Sequence, residues 1–105
     1  MEGFMVLVAL IFAAAAPADA VPKARQAYAS CLGEYTRDAS DRKIAREEFL
    51  AGLTTKCAKQ EVKFREALVA ADKADGMTDA ESNEDADDQI EGYREKMTDD
   101  FDNAG

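Results

Sequence analysis

Hydrophobic positions along this chain fall into four stretches of different character. From Phe4 to Ala16 every residue is apolar, ending in four consecutive alanines. Farther on, Ala24, Ala27, Tyr28, Cys31, Leu32 and Tyr35 recur at helical spacing, then Phe49, Leu53, Cys57, Gln60, Phe64, Leu68 and Ala71 in steps of three and four. Last, Ala86, Ile90, Tyr93, Met97 and Phe101 follow at four, three, four and four in an otherwise polar stretch. Each of the last three patterns puts its apolar residues on one face of a helix. Period-two alternation and Asn-Gly or Asp-Gly turns are missing, and Ala, Glu, Lys, Arg and Leu dominate, so no strands are expected.

The first stretch has a different meaning. Thirteen apolar residues suit the core of a secretory signal peptide, whereas a membrane span needs about 20. Pro17 is expected to break that helix. Ala18-Asp19-Ala20 supplies the small-x-small pattern of a signal peptidase site, which places the cut between Ala20 and Val21. Residues 1–20 are therefore read as a signal peptide, with an uncleaved N-terminal anchor as the alternative. The segment before the run, Met1-Glu2-Gly3, has no Lys or Arg, which leaves Met5 as an alternative start. No cysteine lies near the cut to take the acyl chain of a lipoprotein. After cleavage no stable membrane span would remain.

Residues 21–105 then form a single small domain, expected to be all-α: an antiparallel helical hairpin and a third amphipathic helix, with helices at about 22–41, 46–75 and 79–102. A domain this short is marginal on its core alone. Cys31 and Cys57 are its only cysteines, and an oxidising compartment favours a disulfide between them. Closing that loop of about 27 residues is worth roughly 3 kcal/mol in the chain-entropy model. A reactive thiol pair is the alternative, without a Cys-x-x-Cys spacing to support it.

The disulfide also sets the turn. Local signals favour Asp38 to Asp41, with Ser40 or Asp41 as a cap. Bonded cysteines in an antiparallel hairpin must be about equally far from the turn, since each residue rises about 1.5 Å and bonded Cα atoms lie within about 7 Å. That moves the turn to Arg42–Ala45, with Ile44 folding back over the end of the core. Farther on, Gly76 is placed to close the second helix in a left-handed conformation, with Met77 packing back. Thr78-Asp79-Ala80-Glu81 reads as a capping box opening the third helix. Gly52 weakens the second helix by about 1 kcal/mol without ending it.

Charge separates the halves. Residues 21–77 hold eleven basic against nine acidic residues, a net of +2, and residues 78–105 hold two against eleven, a net of −9. An acidic third helix is expected to lie on a hairpin carrying Lys56, Lys59, Lys63 and Arg65. A solvated acidic tail is the alternative, and the stripe of Ile90, Tyr93, Met97 and Phe101 argues against it.

Several chemistries are disfavoured. There is no histidine, which removes the commonest general base and transition-metal ligand. No glycine-rich phosphate loop is present, and a net charge of −9 does not suit nucleic acid. With Gly76 as the central glycine of a calcium loop, Ala71, Lys73 and Ser82 occupy ligand positions and only Asp75 fits. Glu47-Glu48 and Glu84-Asp85 are helix neighbours that do not face each other, and are assigned to solvated surface. No cofactor, no metal and no catalytic residue is expected.

Ala27-Tyr28-Ala29-Ser30-Cys31, with Phe49-x-x-x-Leu53-x-x-x-Cys57-x-x-x-Glu61-x-x-Phe64, resembles small exported bacterial proteins of unknown function that join a signal peptide, a two-cysteine helical hairpin and a variable acidic C-terminal segment. The resemblance covers about half of the mature chain. It implies a Gram-negative periplasmic setting, with secretion as the alternative, and implies no activity or functional residues. The expected function is a non-enzymatic envelope protein, protein-binding or an accessory or stress factor. Ile90, Tyr93, Met97 and Phe101 are then the candidate partner surface, engaged if the third helix undocks. The alternatives are an acidic inhibitor of a basic secreted enzyme such as a lysozyme, and a thiol–disulfide protein.

Overall fold

The structure, a computed structural model, describes the backbone of residues 2–104 and the side chains from Asp19 onward. The side chains of the apolar run, and the Ala18 half of the cleavage motif, lie outside the described residues. Four helices follow one another: α1 Glu2–Arg42, α2 Arg46–Thr55, α3 Ala58–Ala74 and α4 Asp79–Ala104. No strand occurs among the described residues, and the fold is all-α, a disulfide-stapled helical hairpin with a further helix docked on it.

Two boundaries differ from expectation. α1 runs through Pro17 and begins well before Pro22. Proline's fixed φ of about −65° is itself helical, so it removes a ladder hydrogen bond without forcing the chain out of the helix. The segment read as one helix over 46–75 is two, interrupted at Lys56 and Cys57, where Cys57 has φ −114° and ψ 29°. The hydroxyls of Thr54 and Thr55 both donate to the Ala51 carbonyl oxygen, at 2.9 and 3.3 Å. Such back-bonding competes with the helical ladder and bends it.

The turn falls where the disulfide register puts it. α1 ends in a Schellman motif: Ile44 N–H donates to the Ala39 carbonyl at 3.2 Å and Lys43 N–H to that of Ser40 at 3.1 Å. Lys43 takes the left-handed conformation, φ 55°, and Ile44 packs against the core as expected. The same motif closes α3, with Gly76 at φ 98° and Met77 N–H donating to Asp72 O at 3.0 Å. The capping box then opens α4: Glu81 N–H donates to Thr78 Oγ1 at 3.1 Å, and Thr78 N–H to Glu81 Oε1 at 3.0 Å. The Thr78 N–H donated to the Glu81 carboxylate, and then the Thr78 hydroxyl beside it, hold the Glu81 pKa below the ordinary value.

Two aromatic triads fill the core. Tyr28 of α1, Phe64 of α3 and Tyr93 of α4 form one, with centroids 5.7–5.9 Å apart. Tyr35 of α1, Phe49 of α2 and Phe101 of α4 form the other, stacked at 5.4 and 4.1 Å. These are all six aromatics after the apolar run. Each triad takes one ring from each of the three packed layers, so α4 runs parallel to α1 and antiparallel to α3. The stripe on α1 also continues past Tyr35: Thr36 and Ala39 are buried, whereas Ala27 faces outward. The Thr36 hydroxyl donates to the Leu32 carbonyl at 2.8 Å.

Gly52 has a packing role. It is buried under the Tyr35 ring, whose hydroxyl donates to the Phe49 carbonyl at 3.1 Å, and a methyl group at position 52 would overlap the phenol oxygen. The residue costs helix propensity and admits the ring that joins α1 to α2.

Candidate functional site

Cys31 and Cys57 form a disulfide with a Cα–Cα distance of 5.9 Å, and no cysteine is free. Cys57 is buried at the α2–α3 break, so the bond staples α1 to the other arm of the hairpin at the point where that arm is interrupted. At the expected cleavage point Ala20 is exposed and Val21 packs against the core.

The candidate partner stripe is not an open surface. Ile90 is 2 % and Met97 7 % exposed, and Tyr93 and Phe101 pack against the same core. Helix propensity and the capping box form α4, and burial of this stripe docks it on the hairpin. A partner could reach these residues only after undocking.

A half-buried polar clamp holds α4 in place beside the first triad. Arg94 donates from Nη2 to Glu61 Oε1 at 2.6 Å, and the Tyr28 hydroxyl donates to the same oxygen at 3.2 Å. Burial, then the Glu61 carboxylate, push the Tyr28 phenol up to about 12, against an opposing pull from Arg94. Burial lowers the Arg94 pKa, but the Glu61 hydrogen bond and charge outweigh it and leave the group raised. Arg25 closes the clamp from α1, its guanidinium 4.9 Å from the Phe64 centroid and its Nη1 donating to Tyr93 Oη at 3.4 Å. The cluster ties α1, α3 and α4 together at this end of the core.

Charge docking is narrower than the sequence implied. Of the four hairpin cations, only Arg65 pairs with α4, through Asp87; Lys56, Lys59 and Lys63 are exposed and in no ion pair among the described residues. Instead Arg46 pairs with Asp102 at 3.0 Å and Lys73 with Asp79 at 2.6 Å. Asp72 of α3 and Asp85 of α4 lie in the same interface. Asp72 Oδ2 is buried with no donor, and a proton there is favoured by a hydrogen bond shared with Asp85, then by burial and the nearby negative charges; the Asp72 pKa is raised accordingly.

On the outer side of α4, Glu84, Asp88, Glu91, Glu95 and Asp99 are exposed at spacings of four, three, four and four, and none is in an ion pair among the described residues. They form a ridge about 22 Å long at 1.5 Å per residue. It borders an open groove of about 440 Å³ between α2 and α4, with Leu50, Leu53, Thr54 and Thr98 along it and Glu91, Glu95 and Asp99 on its rim. The signal for this ridge is in the sequence: the acids repeat with the same period as the buried stripe, one helix face away. Among the described residues no three His, Cys, Asp or Glu side chains converge as a metal site, and no helix is long and apolar enough to cross a membrane.

No protein-family model, no curated protein and no solved structure matches this chain.

Proposed function

We propose that this chain is an exported, non-enzymatic protein of the cell envelope that binds a basic protein partner and serves as an accessory or stress factor. The carboxylate ridge of α4 carries the reading. Five aligned, unpaired carboxylates beside a groove with an apolar floor suit a surface of Lys and Arg with apolar stems, and steer it in at low salt. Export is supported by the apolar N-terminal run, the Ala18-Asp19-Ala20 motif and the disulfide. A periplasmic setting is the preferred reading. Sequencing the N-terminus of the native protein tests export: Val21 is expected, and a retained Met1 or Met5 would count against it.

For the partner, the native chain and a Glu91→Lys/Glu95→Lys variant would be used to capture proteins from envelope extract. The expected result is a basic protein retained by the native chain, lost with the variant and released by salt. Equal capture by both would overturn the ridge as the binding surface.

The ridge also favours a second reading, inhibition of a basic secreted enzyme such as a lysozyme. Mixing the protein with a basic muramidase at low ionic strength should then give inhibition that salt removes. Full muramidase activity at low salt would eliminate it.

A further inference from the structure

The molecule also has an outward face of opposite sign. On α3, Lys59 and Lys63 are exposed one turn apart, and Val62 between them is 55 % exposed, the one large hydrophobic residue so exposed among the described residues. Ala58, Lys59, Val62, Lys63 and Glu66 frame a shallow apolar depression there. Lys56 extends the basic character by another turn. Nothing in the fold uses these lysines: they face away from α4 and pair with no acid among the described residues. The α2–α4 groove has the complementary layout. Its floor is Leu50 and Leu53, and Glu91 and Glu95 stand on its rim one turn apart. Arg94, the cation lining it, is already neutralised by Glu61.

We propose that the occupant of this groove in the free protein is a second copy of the chain, presenting its α3 face. With Lys59 and Lys63 of one copy over Glu91 and Glu95 of the other, the equal one-turn spacing brings Val62 over the groove, whether the two helices run parallel or antiparallel. The contact joins unlike surfaces, a basic apolar face and an acidic rimmed groove. It is a heterologous patch pair, used once per contact. A contact built on two ion pairs and one apolar side chain belongs among weak, concentration-dependent associations. The mature chain is net negative, so copies repel at long range. Repulsion over that distance is screened at a Debye length of about 8–10 Å in moderate salt, where contacting pairs still act. This inference does not depend on the foreign basic partner proposed above, because it concerns the pure protein.

The test is sedimentation equilibrium of the purified, disulfide-intact protein over a range of concentrations. The expected result is a weight-average mass that rises with concentration at moderate salt and returns to the monomer at high salt. Val62→Asp should weaken association about tenfold or more, as should Lys59→Glu/Lys63→Glu and Glu91→Lys/Glu95→Lys. All three change exposed or rim positions, and far-UV circular dichroism and thermal unfolding should match the native chain. Mixing the two charge-reversed variants supplies the decisive arm: alone, each variant offers only like-charged surfaces to itself, but in the mixture the native groove of the first meets the native basic face of the second and the two reversed surfaces match each other, so association should return. A monomer at every concentration, or association that survives all three substitutions, would overturn the proposal.

Discussion

The two aromatic triads draw on the same three layers but are closed differently. At the Tyr28–Phe64–Tyr93 end, Glu61 accepts from both Tyr28 and Arg94, and Arg25 covers Phe64 from α1. At the Tyr35–Phe49–Phe101 end, the outer contact is the Arg46–Asp102 pair, with side chains 56 % and 41 % exposed, and the middle layer is the ten-residue α2. A charged hydrogen bond in a partly buried site contributes more than an exposed ion pair, which is screened by water and salt. α4 is therefore anchored in its middle, at Tyr93 and Arg94, and its C-terminal end beside α2 is the less secured part. The disulfide lies between the triads along α1 and stabilises both.

The largest difference between the two ends is expected at the rings themselves. Phe64→Ala should cost about 4 kcal/mol in chemical denaturation, because Phe64 is fully buried between Tyr28 and Tyr93. Phe101→Ala, at a partly exposed ring, should cost about half as much; equal losses would mean that the two ends are equally closed. Next in size, Cys31→Ser/Cys57→Ser should lose about 3 kcal/mol. Hydrogen exchange in that variant should speed up in α1, α3 and α4 together, since both triads depend on the hairpin register. Glu61→Gln should then cost about 2 kcal/mol, by weakening the bond to Arg94 and leaving that cation half-buried. Here α4 amides should exchange faster while those of α1 change less, and a uniform change would contradict the anchor.

The smallest effect depends on pH. Asp72 has its pKa raised in the folded state, chiefly by the hydrogen bond shared with Asp85, so folding favours its protonated form. Stability from this group is present in acid and lost as pH rises through the raised value. Asp72→Asn imitates the protonated form. It should raise the melting temperature by about 1–2 °C at neutral pH, with the gain disappearing below the carboxylate range. A gain that persists in acid would mean that charge is not its source.

Much of this architecture is readable from residue order, for identifiable reasons. The Lys43–Ala45 loop follows from the cysteine positions, because an antiparallel pair with fixed rise per residue has one midpoint. Gly76, Met77 and the Thr78–Glu81 box act locally, so their sequence signals survive folding. Lys43 in a left-handed conformation is not readable, since nothing about a lysine announces it; the tertiary register imposes it. The break at Cys57 depends on Thr54 and Thr55 turning their hydroxyls to one carbonyl, a rotamer choice that periodicity does not reveal. The α4 ridge is not distinguished from solvated surface by its sequence, where Glu84 is assigned to solvent; the groove beside it is what sets it apart. The stripe of Ile90, Tyr93, Met97 and Phe101 was legible as a face needing cover, and its cover is the hairpin itself.

The Cys31–Cys57 bond also acts as a length gauge on the gene. One residue inserted between Leu32 and Arg42 would turn the following helix by about 100° and shift it by about 1.5 Å, taking the facing positions out of register unless a matching change arose between Arg46 and Lys56. Variation across this segment should therefore arise in compensated pairs on either side of the Lys43–Ala45 loop, or within that loop. In α4 the ruler is the ring spacing from Tyr93 to Phe101, so length there is free to vary only beyond Asp102.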